Sequence, residues 1–126
     1  MEMIECIRFD GGRFDILNGF DEMLLCGMAV GARGGVGSTY NYSLRTYQNI
    51  YDAFMAGDLE QARAAQQESV DIVHVIINHG GGIRGGKASM KLVGIDCGDC
   101  RLPLAPYTEA EIARLDEELR AIGFKK

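Results

Sequence analysis

The 126-residue chain has no run of basic residues, no long apolar stretch and only two prolines. Its 13 lysines and arginines stand against 18 aspartates and glutamates, which gives a net charge of −5. We therefore expect no nucleic-acid partner, because phosphate recognition needs clustered lysine and arginine. The apolar stretches also fall short of the ~20 residues that cross a membrane, so no membrane partner is expected either.

A secretory signal is not apparent, since residues 1–5 are acidic and lack the apolar core of a signal peptide. This favours a cytoplasmic location. The four cysteines are then expected to be reduced thiols rather than a disulfide framework. The length of 126 residues allows at most one domain.

Glycine, in contrast, is abundant at 17 residues, which indicates many tight turns between strands and helices. Two short strands are predicted at Phe14–Leu17 and Gly34–Ser38. An apolar helix is predicted between them, over Glu22–Ala32, with Asp21 as its N-cap. A helix with so little polar surface should be buried on several sides.

Helical periodicity dominates after residue 38. Apolar residues recur at helical spacing over 39–56 and again from Leu59 to Ile77, where Asp58 and Gln61 form a capping-box pattern. Residues 78–86 are predicted to be a glycine-rich loop, followed by a short helix over 87–93. Thr108 and Glu111 predict a capping box for a last helix, and Gly123 predicts its end.

Polar residues follow both predicted strands. Asp21 and Glu22 come after the first, and Ser38 ends the second. In α/β proteins the carboxyl ends of strands form the active site, and carboxylates accept several hydrogen bonds from a polyol. A purely structural interpretation is equally consistent: Gly19 for the bend, Asp21 as N-cap and Glu22 in the first helical turn.

Two glycine motifs resemble nucleotide-binding loops only superficially. The stretch over 34–39 lacks the lysine of a Walker motif. The stretch over 80–85 matches G-x-G-x-x-G, but helical spacing continues up to it, which favours a loop between helices.

A zinc site can be drawn from Cys97, Cys100, His74 and His79. The order and spacing of these residues are not those of a common zinc motif. We therefore predict no metal site.

The whole chain resembles the dihydrodipicolinate synthase and N-acetylneuraminate lyase superfamily. The resemblance rests on residues 18–22 and 34–41, on Gly57-Asp58, and on the segment Arg101–Pro106, which is similar to an R-x-P-x-x-P motif of the family. It implies an α/β fold that forms the C-terminal part of a (β/α)8 TIM barrel. The last two βα units would occupy residues 1–56, and a C-terminal helical extension of the same structural domain would occupy 57–126.

The lyase branch cleaves N-acetylneuraminate to pyruvate and N-acetylmannosamine through a Schiff base on a lysine, without a cofactor. By resemblance, Gly19, Asp21, Glu22 and Ser38 bind the sugar part of the substrate. The catalytic lysine and tyrosine would precede this chain, and none of its lysines (Lys87, Lys91, Lys125, Lys126) matches them.

We therefore expect a fragment that is inactive alone, with a homo-oligomer, a tetramer in the family, as the parent state. A related pyruvate-dependent aldolase and a non-enzymatic helical interaction module remain alternatives.

Overall fold

The computed structural model describes residues 2–124. Within this range the chain forms six α-helices: α1 Glu2–Arg8, α2 Leu24–Ala29, α3 Tyr40–Met55, α4 Leu59–Asn78, α5 Gly81–Leu92 and α6 Glu109–Ala121. Two short 3₁₀ turns, Phe9–Gly12 and Asp21–Met23, precede α2. In this range no helix is long and apolar enough to cross a membrane.

The two predicted strands do not form as strands anywhere in residues 2–124. They are reduced to one parallel bridge between Asn18 and Gly35. The Asn18 N–H donates to the Gly34 carbonyl at 2.9 Å, and the Val36 N–H donates to the Asn18 carbonyl at 2.9 Å. A two-stranded parallel pair with no neighbour on either edge cannot be stable by itself. The observed secondary structure is therefore helical, with a single parallel contact in place of the predicted α/β alternation.

The helix predicted over Glu22–Ala32 is shorter than expected. It begins as the 3₁₀ turn Asp21–Met23, and α2 then covers only Leu24–Ala29. The Asp21 side chain does not cap it. Leu24 and Met28 are buried, but Met23 and Val30 are exposed, so within residues 2–124 this helix is not buried on several sides.

Helices α3 and α4 confirm the periodicity in the sequence. Between them, Asp58 caps α4 by accepting the Gln61 N–H at 3.0 Å. The two helices pack together and bury one apolar cluster with α2. The cluster contains Leu24, Met28, Tyr47, Ile50 and Ala65.

The predicted loop over 78–86 is wrong, because α5 starts at Gly81 and continues through these glycines. Gly80 precedes the helix in a left-handed conformation with φ of 101°. A Cβ at Gly85 would lie 2.8 Å from the Ile76 side chain. The glycines therefore allow α5 to approach α4 closely, and this packing offsets the low helix propensity of glycine, about 1 kcal/mol per residue.

Helix α6 begins with the predicted capping box. The Thr108 hydroxyl accepts the Glu111 N–H, and the Glu111 carboxylate accepts the Thr108 N–H at 2.8 Å. Leu115 and Leu119 are fully buried. They complete a second apolar cluster formed by Tyr42, Ile72, Ile76, Ala88, Leu115, Leu119 and Phe124.

Candidate functional site

Three of the four predicted substrate-binding residues line one cavity of about 200 Å³. Asp21 and Glu22 come from the turn before α2, and Ser38 from the segment before α3. The cavity is lined by Asp21, Glu22, Ser38, Thr39, Tyr42, Val73, Ile76, Ile77 and Gly82. Gly19, the fourth predicted residue, is exposed and is not part of this lining.

Asp21 has a structural partner that its sequence position did not reveal. Its buried carboxylate accepts the Thr39 backbone N–H at 3.0 Å and also the Thr39 hydroxyl. Thr39 is the residue before α3. Asp21 therefore holds the start of a helix 18 positions further along the chain, instead of capping the helix that follows it.

Glycine at position 37 makes this arrangement possible. A Cβ built on Gly37 would overlap the Asp21 carboxylate. Gly27 has a similar role beside the buried Asn18, whose side-chain oxygen lies 2.5 Å from the position of a Cβ at Gly27. These glycines are needed for close approach, because side chains at these positions would displace the Asp21 carboxylate and the Asn18 amide.

Gln66 attaches the Asp21 turn to helix α4. Its side-chain carbonyl accepts the Leu25 N–H at 2.8 Å, and its amide group lies 3.4 Å from the Asp21 carbonyl. The turn therefore has a polar connection to α4 in addition to the apolar contacts of α2. This connection keeps Asp21 and Glu22 at the cavity.

The negative charge of Asp21 acts on the phenol groups of three tyrosines of α3. Burial raises the pKa of Tyr40 to about 12, and the negative charge of Asp21 acts in the same direction. The pKa of Tyr42 is also raised to about 12, again by burial first and by Asp21 second. Burial likewise raises the pKa of Tyr47, whose hydroxyl lies 2.7 Å from the Thr39 hydroxyl. At neutral pH all three are therefore protonated and able to donate hydrogen bonds.

Glu22 and Ser38 are more accessible than Asp21. Glu22 is half-buried and Ser38 is exposed. A Cβ at Gly82 would lie 4.0 Å from the Ser38 hydroxyl, which places the first turn of α5 against this residue. The cavity thus combines carboxylate acceptors with hydroxyl groups, and this combination suits a ligand with several hydroxyls.

Neither lysine within the described residues lines this cavity. Lys87 donates to the carbonyls of Cys97 at 3.0 Å and Asp99 at 2.9 Å. Lys87 and Lys91 line a different cavity of about 240 Å³, beside the 96–107 connector. Lys125 and Lys126 lie outside the described residues.

The four residues considered for zinc do not form a cluster. His74 is exposed on α4, while the His79 Nε2 atom lies 3.0 Å from the Glu118 carboxylate. Cys97 and Cys100 are free thiols in the connector before α6. Over residues 2–124, no group of three or more histidine, cysteine, aspartate or glutamate side chains could hold a metal ion. The absence of zinc from the protein stays a prediction.

Thr39, Tyr42 and Tyr47 were not predicted as part of the site. Tyr47 belongs to the apolar periodicity over 39–56, which equally describes an ordinary apolar face, and Tyr42 falls outside that periodicity. Only the tertiary structure shows that their hydroxyls lie near Asp21.

The chain is similar to several N-acetylneuraminate lyases. It is 35% identical to the Rhizobium meliloti enzyme over 122 residues and 37% identical to the Gallus gallus enzyme over 124 residues, in each case over 97% of this chain and 40% of the relative. The solved structure of Proteus mirabilis N-acetylneuraminate lyase superposes with a TM-score of 0.91 at 36% identity, over 98% of this chain and 42% of that one. The chain thus spans about 40% of the length of the curated relatives that it matches.

The model of the dihydrodipicolinate synthetase family matches residues 1–122. This match covers the cavity residues, the bridge and all six helices between residues 2 and 121. The chain belongs to the dihydrodipicolinate synthetase family.

Proposed function

We propose that this chain is the sugar-binding part of an N-acetylneuraminate lyase. In this proposal the residues over 14–17 and 34–38 correspond to the last two strands of a (β/α)8 barrel, and the helical residues from 57 onward extend the same domain. The strongest support is the cavity that brings Asp21, Glu22 and Ser38 together in a chain 35–37% identical to such lyases.

Each residue has a distinct role in the proposed site. Glu22 is the accessible acceptor for hydroxyls of the acyl amino sugar, and Ser38 donates to or accepts from the same sugar. Asp21 already accepts two hydrogen bonds from Thr39. Only its remaining lone pairs can therefore accept hydrogen bonds from the sugar. Gly19 would contribute through its backbone, as an exposed residue two positions before Asp21.

Carbon–carbon bond cleavage would require groups that the described part of the chain does not place at this cavity. A Schiff base needs a desolvated lysine with a lowered pKa beside the substrate ketone, and Lys87 instead holds two carbonyls of the connector. We therefore expect the chain alone to form no imine with pyruvate. In a protein as long as the relatives, the remaining length would supply that lysine.

Sugar binding is tested by titrating N-acetylmannosamine into the chain and following the amide signals of residues 19–39 by NMR. We expect weak, saturable binding that Glu22→Gln and Ser38→Ala both reduce. Glu60→Gln, which removes an exposed charge from the first turn of α4, should not change it. Asp21 is a poor test residue, because its substitution also removes the support of α3.

The imine prediction is tested with pyruvate and borohydride. Mass spectrometry should find no trapped pyruvate on the chain. Trapping on one lysine together with turnover of N-acetylneuraminate would contradict the division of roles proposed here.

Association of the chain with itself is a further part of the proposal. Several large apolar side chains of the N-terminal part are exposed, namely Phe9, Phe14, Leu17, Phe20 and Val36. Exposed apolar patches drive association, so we expect oligomers in sedimentation experiments; a compact monomer at all concentrations would contradict this. A cytoplasmic location stays a prediction from the sequence.

A further inference from the structure

Tyr42 has a hydroxyl group that the structure of the chain does not use. Its ring belongs to the apolar cluster of α4 and α6, and the residue is only 7% exposed. Its hydroxyl oxygen is buried and has no hydrogen-bond partner among residues 2–124. A buried hydroxyl without a partner is unfavourable, so a tyrosine here needs an explanation that a phenylalanine would not.

The surroundings of this hydroxyl belong to the proposed sugar site. Tyr42 lines the same cavity as Asp21, Glu22 and Ser38. The Ser38 side chain is near enough to the phenol to oppose part of the rise of its pKa caused by burial and by Asp21, but it does not form a hydrogen bond of normal geometry with the Tyr42 hydroxyl. Helix α5 approaches the hydroxyl through Gly86, where a Cβ would lie 3.8 Å from the oxygen. Glycine at this position offers no side chain that could bond to the phenol.

We propose that Tyr42 is an additional ligand-binding residue, whose phenol donates a hydrogen bond to an oxygen atom of the bound sugar. This inference rests on the proposed function of the cavity.

The phenol adds a property that the carboxylates lack. Asp21 and Glu22, when ionised, can only accept hydrogen bonds. With a pKa of about 12, Tyr42 remains a donor throughout the physiological pH range. A sugar hydroxyl can donate to a carboxylate and accept from the phenol at the same time. The pair thus selects polyhydroxylated ligands over ligands that carry only donors or only acceptors.

The test compares Tyr42→Phe with Tyr51→Phe in N-acetylmannosamine titrations of the full chain. Both changes remove one phenol oxygen from α3, but Tyr51 is exposed and is not part of the cavity lining. We expect Tyr42→Phe to weaken binding about fivefold, the effect of losing one neutral hydrogen bond. Tyr51→Phe should leave the affinity unchanged.

Urea unfolding of the same variants separates binding from folding. Because the Tyr42 hydroxyl is unpaired in the free chain, Tyr42→Phe should not lower the stability. Weaker binding combined with unchanged or higher stability would support the proposal. A loss of stability that accompanies the loss of binding would overturn it in favour of a purely structural role.

The remaining outcomes distinguish a failure of the Tyr42 inference from a failure of the proposed function. If Tyr42→Phe binds like the wild type while Glu22→Gln and Ser38→Ala bind less, the inference fails and the proposed function stands. If the wild-type chain shows no saturable binding of N-acetylmannosamine, both fail.

Discussion

The N-terminal segment over residues 2–20 and the helices α3–α6 differ in how they are held. Helix α1 has no buried residue, and the segment after it carries exposed Phe9, Phe14 and Phe20. The helices from residue 40 onward form one apolar cluster among themselves and share a second one with α2. We therefore expect most of the folding energy to come from the C-terminal helices, while part of the candidate site, Asp21 and Glu22, directly follows the N-terminal segment.

Two apolar-to-alanine substitutions should give the largest contrast between these regions. Leu115→Ala removes a fully buried side chain from the cluster of α4 and α6 and should lower the free energy of unfolding by about 3 kcal/mol. Phe14→Ala removes a side chain that is 44% exposed and should change it by less than about 0.5 kcal/mol. Urea unfolding measures both. Equal losses would show that the N-terminal segment is packed as tightly as the helices.

A methyl group at Gly37 tests the hydrogen bonds between Asp21 and Thr39, which connect the turn before α2 to the start of α3. Gly37→Ala should lower the free energy of unfolding by about 2 kcal/mol, because the new Cβ must displace the Asp21 carboxylate from Thr39. Gly19→Ala is the matched control, since no atom lies within 4 Å of a Cβ at that position. Its effect should stay below about 0.5 kcal/mol. If Gly37→Ala is equally harmless, the bond between Asp21 and Thr39 does not support α3.

The smallest expected effect concerns the pH dependence of the C-terminal region. The Thr108 backbone N–H, followed by Arg84 and the Thr108 hydroxyl, lowers the pKa of Glu111 from 4.5 to about 2. A lowered carboxylate pKa stabilises the folded state above the unfolded pKa, and this contribution disappears as the pH falls from about 4.5 to about 2. Glu111→Gln should therefore flatten the change of the urea midpoint over this range.

The control for this experiment is Glu109→Gln in the same first turn of α6. It should leave the pH profile unchanged. An unaltered profile in Glu111→Gln would mean that the capping box does not contribute to acid stability.

The sequence predicted the C-terminal region better than the N-terminal one, for a physical reason. Helices α3, α4 and α6 depend on local signals, namely apolar periodicity and the caps at Asp58 and Thr108. These signals can be recognised in the sequence alone. Helix α5 was predicted to start too late, because what stabilises its glycines is the contact of Gly85 with Ile76 on another helix. The pairing of Asn18 with Gly35 depends on residues that are distant in the sequence, and local sequence patterns do not reveal it.

The sequence likewise did not reveal those features of the candidate site that depend on contacts between distant residues. Asp21, Glu22 and Ser38 were identified by their position after the predicted strands and by the resemblance to a family, and the structure brings them to one cavity. The interaction of Asp21 with Thr39 spans 18 positions, and the unpaired hydroxyl of Tyr42 is a property of the packed structure. Neither can be deduced from residue spacing.

Amide hydrogen exchange of the intact chain tests most directly the claim that the two regions differ in stability. The account predicts that the amides of Ile16 and of Val36, which bonds to Asn18 of the N-terminal segment, exchange at least about 100-fold faster, relative to their unfolded rates, than those of Ile72 and Leu119 in the buried cluster. The Val36 amide is informative because it forms one of the two hydrogen bonds of the bridge. Equal and high protection at all four positions would contradict the account, because it would mean that the bridge and the helices unfold as one unit.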